Sequence, residues 1–268
     1  MFNVEVKLPS GKKRRIRELK NRDYLTIVKF CENKDLQGLN LFFEELYFDE
    51  ELDLFDRFYL LIYVRMLFIN ENLTFTTEEQ KNVELSLDTV LVKIEQSYLD
   101  LETTFTDGEL KVVVGLPTSL YFEDIDTLFI SLIRQININQ KTIDFKHLTS
   151  QEKLQILNQL PTSIFLNMQS YIRNITNSLQ QITVIEENKT FNIDELKLTL
   201  IGNGIMHFIT SIYSISLKHF YELIYIFYQR ITNGSDIFYD ISPVESKILL
   251  NIHNATIEKE NEELKKQK

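Results

Sequence analysis

The chain opens with an alternation of apolar and polar residues. Phe2, Val4, Val6 and Leu8 alternate with Asn3, Glu5 and Lys7, a period of two that predicts a strand over 2–8. Pro9-Ser10-Gly11 is a turn signal, and 12–19 reads as a returning strand, so the pair predicts a β-hairpin. The period then changes. Asn21 is a candidate cap for a helix over 22–33, with Leu25, Val28 and Cys31 inward. Leu39, Phe42, Phe43 and Leu46 mark a second helix over 36–48, and 52–69 reads as a third. Between 77 and 119 the alternation returns at Val83, Leu85 and Leu87, then Val90, Val92 and Ile94, then Leu99 and Leu101. After the Asp107-Gly108 turn it resumes at Leu110, Val112 and Val114. These runs predict three or four antiparallel strands.

From 122 onward the spacing is helical. Leu128, Phe129, Leu132 and Ile133 predict a helix over 125–136. Thr149 and Glu152 form a capping box for one over 153–160, which Pro161 stops. Helices follow over 164–179 and, with Asn192 to Glu195 as a cap, up to 201. The longest is predicted over 205–231, carrying the ladders Tyr213, Leu217, Tyr221, Tyr225 and Phe220, Ile224, Tyr228. Ser242 as cap, Pro243 at the first helical position and Glu245 two residues on announce the last helix. The fold class is α+β, mainly α-helical, with an N-terminal β-hairpin and a small central antiparallel β-subdomain. Five segments are expected: a basic hairpin (1–20), an N-terminal helical part (21–76), the β-subdomain (77–122), a C-terminal helical part (123–257) and a charged tail that frays (258–268).

Composition narrows the chemistry. With 7 Gly and 4 Pro in 268 residues, linker-rich and collagen-like classes are excluded. Gly202-Asn203-Gly204 is half a dinucleotide loop without its third glycine, and reads as a helix break. Cys31 is the only cysteine, so no intrachain disulfide or thiolate zinc site is available. The four histidines form no metal motif, and no cofactor is expected. The apolar runs over 54–69 and 200–231 are interrupted by charges and predict core helices, not membrane spans. The first residues lack the apolar region and cleavage site of a signal peptide, so a reducing cytoplasm is the expected compartment.

Charge is distributed unevenly. Six basic residues and one acid within 1–17 give +5, and since the whole chain carries −10, the remainder carries −15. Lys12, Lys13, Arg14, Arg15 and Arg17 form the second strand's basic run, with Lys13, Arg15 and Arg17 on one face and Lys12, Arg14 and Ile16 on the other. Three readings stand: docking on an acidic protein surface, a solvated edge whose charge blocks strand pairing, and a nucleic-acid patch. No aromatic residue interleaves with the charges for base stacking. The acidic block Glu44, Glu45, Asp49, Glu50, Glu51, Asp53, Asp56 lacks the EF-hand spacing; it reads as a solvated face, or as a complement to a basic partner or to this chain's own hairpin. An enzyme with dispersed carboxylates remains an alternative, as does a nucleic-acid-binding module.

Several short segments, in order, resemble T-even-type bacteriophage baseplate hub proteins of the hub assembly (assembly catalyst) family. They are Val6-Lys7-Leu8-Pro9-Ser10-Gly11-Lys12 with Ile16-Arg17-Glu18-Leu19; Phe55-Asp56-Arg57-Phe58 with Val64-Arg65; Val114-Gly115-Leu116-Pro117-Thr118; and Ile241-Ser242-Pro243-Val244-Glu245. The paired cysteines that some members of that family carry in the β-region are absent here, with none between 78 and 122. The resemblance implies a non-enzymatic structural or assembly protein of a contractile phage tail. Other baseplate and tail hub proteins would be its partners, with no small-molecule substrate. It would act in the host cytoplasm during assembly and in the virion baseplate. Asp56, Arg57, Arg65, Pro117, Ser242, Pro243 and Glu245 are assigned structural roles, and the hairpin cations partner binding.

Overall fold

The computed structural model describes residues 3–49, 52–76, 82–98, 102–139, 141–182, 198–231 and 234–266. The expected cap at Asn192 to Glu195 and the strand positions Leu99 and Leu101 lie outside them.

The chain is α+β and mainly helical, as the periodicity predicts. Strand β1 (Asn3–Lys7) pairs antiparallel with β2 (Lys13–Arg17), Val4 opposite Ile16 and Val6 opposite Arg14. Gly11 closes the turn at φ +84°, a left-handed conformation that costs glycine nothing. Val6, Leu8 and Ile16 are buried against the helices. Helix α1 (Asn21–Glu32) begins one residue earlier than expected. Asn21 is not its cap; the Asp23 carboxylate instead accepts from the Lys20 amide, at 3.3 Å. Helix α2 (Leu36–Tyr47) is capped by Asp35 and α3 (Leu54–Phe68) by Asp53, each accepting a backbone amide three residues on.

Helix α3 explains the membrane-like run. It is apolar on nearly every side because it is the central helix, with Phe55, Phe58, Leu60, Leu61 and Ile62 fully buried. No helix among the described residues is long and apolar enough to cross a membrane.

The central region departs from expectation in three places. β3 (Asn72–Thr76) and β4 (Asn82–Ser86) form a separate antiparallel pair, and 87–97 is helix α4 (Leu87–Ser97), not a continuing strand. Leu87, Val90, Leu91 and Ile94 are its buried stripe, with Val92 turned out to solvent. The i, i+3, i+4, i+7 pattern therefore prevails over the alternation that shares Val90 and Ile94 with it. The larger sheet has the order β5-β6-β7-β8, all antiparallel: β5 (Thr103–Asp107), β6 (Leu110–Val114), β7 (Ile133–Ile138) and β8 (Lys141–Asp144). Helix α5 (Ile125–Leu132) thus ends four residues before the predicted boundary. Val114 pairs with Ile133 and Val113 with Gln135, so Arg134 is the extra residue of a β-bulge. The bulge puts Ile133 and Ile136 on one buried face at an i, i+3 interval, which is why the sequence imitates a helix there.

After the short helical turn Phe145–His147 come α6 (Ser150–Leu157), with the expected Thr149–Glu152 capping box, and α7 (Thr162–Ile182), which packs on α4 and β5. Gly202 and Asn203 adopt positive φ immediately before α8 (Gly204–Tyr213), the expected helix break. The predicted 205–231 helix is two: the backbone turns extended at Ser214 and Ser216 before α9 (Leu217–Arg230) begins. The tyrosine ladder is split with it. Tyr213 is buried and donates to the Leu61 carbonyl at 2.7 Å, while Tyr221 and Tyr225 face solvent. Helices α10 (Gly234–Asp240) and α11 (Pro243–Lys266) end the chain; the tail expected to fray is helical to Lys266.

Candidate functional site

The hairpin has two chemically distinct faces. On the inner side, Ser10 in the turn donates its amide to Asp56 Oδ1 at 3.0 Å and its hydroxyl to Oδ2 at 2.7 Å. Asp56 is fully buried at the start of α3, where the helix N-terminus favours a negative charge. Arg14 forms an ion pair with Asp49. Beside it, the buried Arg57 guanidinium donates to the Leu52 carbonyl (2.9 Å), the Asp49 carbonyl (3.0 Å) and Glu44 Oε1 (3.1 Å), and lies over the Phe48 ring. Burial, the first cause, lowers the Arg57 pKa against the opposing pull of Glu44. Asp49 and Glu44 of the acidic block are therefore engaged by this chain's own Arg14 and Arg57, and Asp56 by Ser10 of the hairpin turn.

On the outer side, the register places Glu5 opposite Arg15 and Lys7 opposite Lys13. Lys13 pairs with Glu5 at 2.9 Å in the open, and Arg15 is exposed. Arg17, at the strand's end, reaches Asp23 at 3.1 Å. Lys12 is exposed at the turn and borders a cleft.

The remaining singled-out residues are dispersed and hold elements together. Arg65, near the end of α3, donates to the Ile212 and Asn70 carbonyls, and burial lowers its pKa. The Pro117 carbonyl accepts the Leu54 amide at 2.8 Å, joining the chain after β6 to the start of α3. Ser242 and Glu245 exchange hydrogen bonds around the start of α11, with Pro243 between them. Cys31 is buried on α1, and burial raises its thiol pKa to about 12, the property of an inert side chain. Among the described residues no group of three or more His, Cys, Asp or Glu could hold a metal ion.

Sequence reasoning missed two residues with structural weight. Arg134 lines the cleft, as described below. Asn203 exchanges two hydrogen bonds with the Phe122 backbone, at 2.8 and 3.0 Å, from a left-handed conformation at φ 57°. The Gly-Asn-Gly setting was its signal.

The model of the family described as T4 bacteriophage base plate protein matches residues 1–197. The chain belongs to that family. No curated protein and no solved structure matches it. It is a structural protein of a phage baseplate and thus part of the virion tail. The matched residues contain the hairpin, its acidic complement and the bulged sheet, whereas Tyr221, Tyr225 and Tyr228, exposed at 50%, 61% and 65%, stand on α9 beyond them.

Proposed function

We propose that this baseplate protein binds hub subunits while the baseplate is being assembled in the host cytoplasm, and that it acts by contact, not by catalysis. One observation carries the reading: a basic hairpin face held rigidly on an otherwise acidic chain. The inner face is buried and the turn is fastened to Asp56, so Lys7, Lys13 and Arg15 project from a fixed platform. A patch of this kind orients an acidic partner and speeds encounter. The exposed α9 tyrosines supply the low-entropy aromatic area that protein contacts favour. A nucleic-acid reading is weakened because Arg14 and Arg17 are engaged by Asp49 and Asp23.

The test is affinity purification of the full chain from infected cells, followed by binding to individually purified hub subunits. Association with a hub subunit that falls on Lys13→Glu plus Arg15→Glu, and falls with rising salt, supports the proposal. Association with none of them refutes it.

A further inference from the structure

A cleft of about 1310 Å³ lies between the α2–α3 junction and the larger sheet. Its sheet side is shaped by the bulge. Bulges re-aim a side chain, and here the extra residue, Arg134, lines the cleft. The guanidinium is anchored by donation to the Ser131 carbonyl at 2.9 Å and to the Leu116 carbonyl. Both acceptors are neutral, and among the described residues no carboxylate lies within ion-pair distance of it. Gly115 leaves the passage open, since a Cβ there would stand 3.0 Å from Arg134 Nε.

Asp53 lines the same cleft from the helical side. Its carboxylate caps α3 and accepts the Tyr98 hydroxyl at 3.2 Å. Burial raises its pKa and lowers that of Arg134, whose guanidinium feels the Asp53 charge without forming an ion pair with it. Two opposite, partly desolvated charges are thus fixed on either side of an open cleft, each held by its own backbone. The rest of the lining is of mixed sign, with Lys146 and Lys153 beside Asp144 and with Glu44 and Asp49 beside Lys12 and Arg57.

The size and lining narrow the occupant. Small-molecule pockets run to about 300–1,000 Å³ and are mostly apolar. Carboxylates interspersed with the cations disfavour a polyanion such as nucleic acid and suit an occupant that carries both signs. Val113 of β6, Gln135 of β7 and Asp144 of β8 lie opposite one another in the register and line the cleft together, so an occupant lies across that face of the sheet. We propose that the cleft receives a polypeptide segment of another baseplate subunit, presenting a carboxylate to Arg134 and a cation to Asp53. This rests on the partner-binding reading above and places a second contact away from the hairpin's outer face.

The test measures binding of a purified partner baseplate subunit to the full chain and to Arg134→Gln, Asp53→Asn and Lys153→Glu. Asn is itself a good cap, and Lys153 stands at the cleft's side, so the last two variants keep the test valid if Arg134→Gln unfolds. Expected are wild-type circular dichroism and a loss of about tenfold or more in affinity for each folded variant. Lys247→Glu on α11, outside the cleft, should bind like wild type. Folded cleft variants with wild-type affinity overturn the cleft assignment and leave the partner-binding reading standing. A wild-type chain that binds no baseplate subunit overturns both. Retention on single-stranded DNA that Lys153→Glu abolishes would overturn the polypeptide assignment.

Discussion

The side-chain amide of Asn21 donates to the Phe238 carbonyl at 2.9 Å, across 217 positions of sequence. The same amide reaches Ser246 Oγ at 3.3 Å, and the Asn21 backbone N–H donates to the Ile241 carbonyl at 2.8 Å. One buried side chain therefore fastens the start of α1 to the turn between α10 and α11. Asn21→Ala should destabilise the fold by about 1–3 kcal/mol, because the buried Phe238 carbonyl loses its donor. Asn21→Asp should cost more at neutral pH, since it turns a carboxylate toward that carbonyl. Urea unfolding of both variants checks the order; equal stabilities would contradict it.

Asp56 holds the hairpin turn through two hydrogen bonds from Ser10. Charged acceptors contribute more than neutral ones, so Asp56→Ala should cost about 1.5–3 kcal/mol and Ser10→Ala about 0.5–1.5 kcal/mol. The Ser10 amide should also exchange faster with solvent in Asp56→Ala. Unchanged exchange there would mean the turn is held by something else.

Ser242 supplies a local cap of the ordinary kind, with the Glu245 amide donating to Ser242 Oγ at 3.3 Å. Ser242→Ala should lower stability by about 0.5–2 kcal/mol. An unchanged melting temperature would count against the cap.

What could be read from sequence followed the range of the interactions. The Ser242–Glu245 and Thr149–Glu152 boxes and the Asp107-Gly108 turn depend on neighbours a few residues apart, and each lies where its local rule puts it. Val90 and Ile94 satisfy both a strand and a helix pattern, and packing of Leu87 and Leu91 decides for the helix. Ile133 and Ile136 mislead because a bulge, set by pairing with β6, changes the strand's period. Arg134 was invisible for the same reason: nothing local marks it as the extra residue. The acidic block was legible as a possible complement to the hairpin, and Arg14–Asp49 and Ser10–Asp56 realise that alternative.

Gly115 and Arg134 are coupled by space. A methyl group at 115 would crowd Arg134 Nε at 3.0 Å, and the guanidinium cannot retreat without leaving its two carbonyls. Gly115→Ala should therefore destabilise by about 1–3 kcal/mol. In an Arg134→Ala background the crowding disappears, and the same change should be neutral or stabilising by about 0.4–1 kcal/mol through the unfolded chain. A double-mutant cycle measures the difference. Additive effects would show that the two positions do not compete for the same space.

Glu18 and Glu245 meet where the hairpin joins α11. Burial raises the Glu18 pKa first, and the charge and hydrogen bond of Glu245 raise it further, against Lys20 and Ser242. A carboxyl whose folded pKa exceeds its unfolded value binds more protons in the native state, so stability falls as pH rises through the interval between the two. The contribution is complete below the unfolded value of about 4.3 and is lost above the folded value. Glu18→Gln removes the charge and retains a hydrogen-bonding side chain beside Glu245. At neutral pH the variant should melt above wild type, and the gap should narrow as pH falls through the raised folded value and close near about 4.3. Melting temperatures of both proteins across that range decide the matter. A gap that ignores pH, or a wild type that is the more stable at neutral pH, would remove the repulsion between Glu18 and Glu245 as its cause.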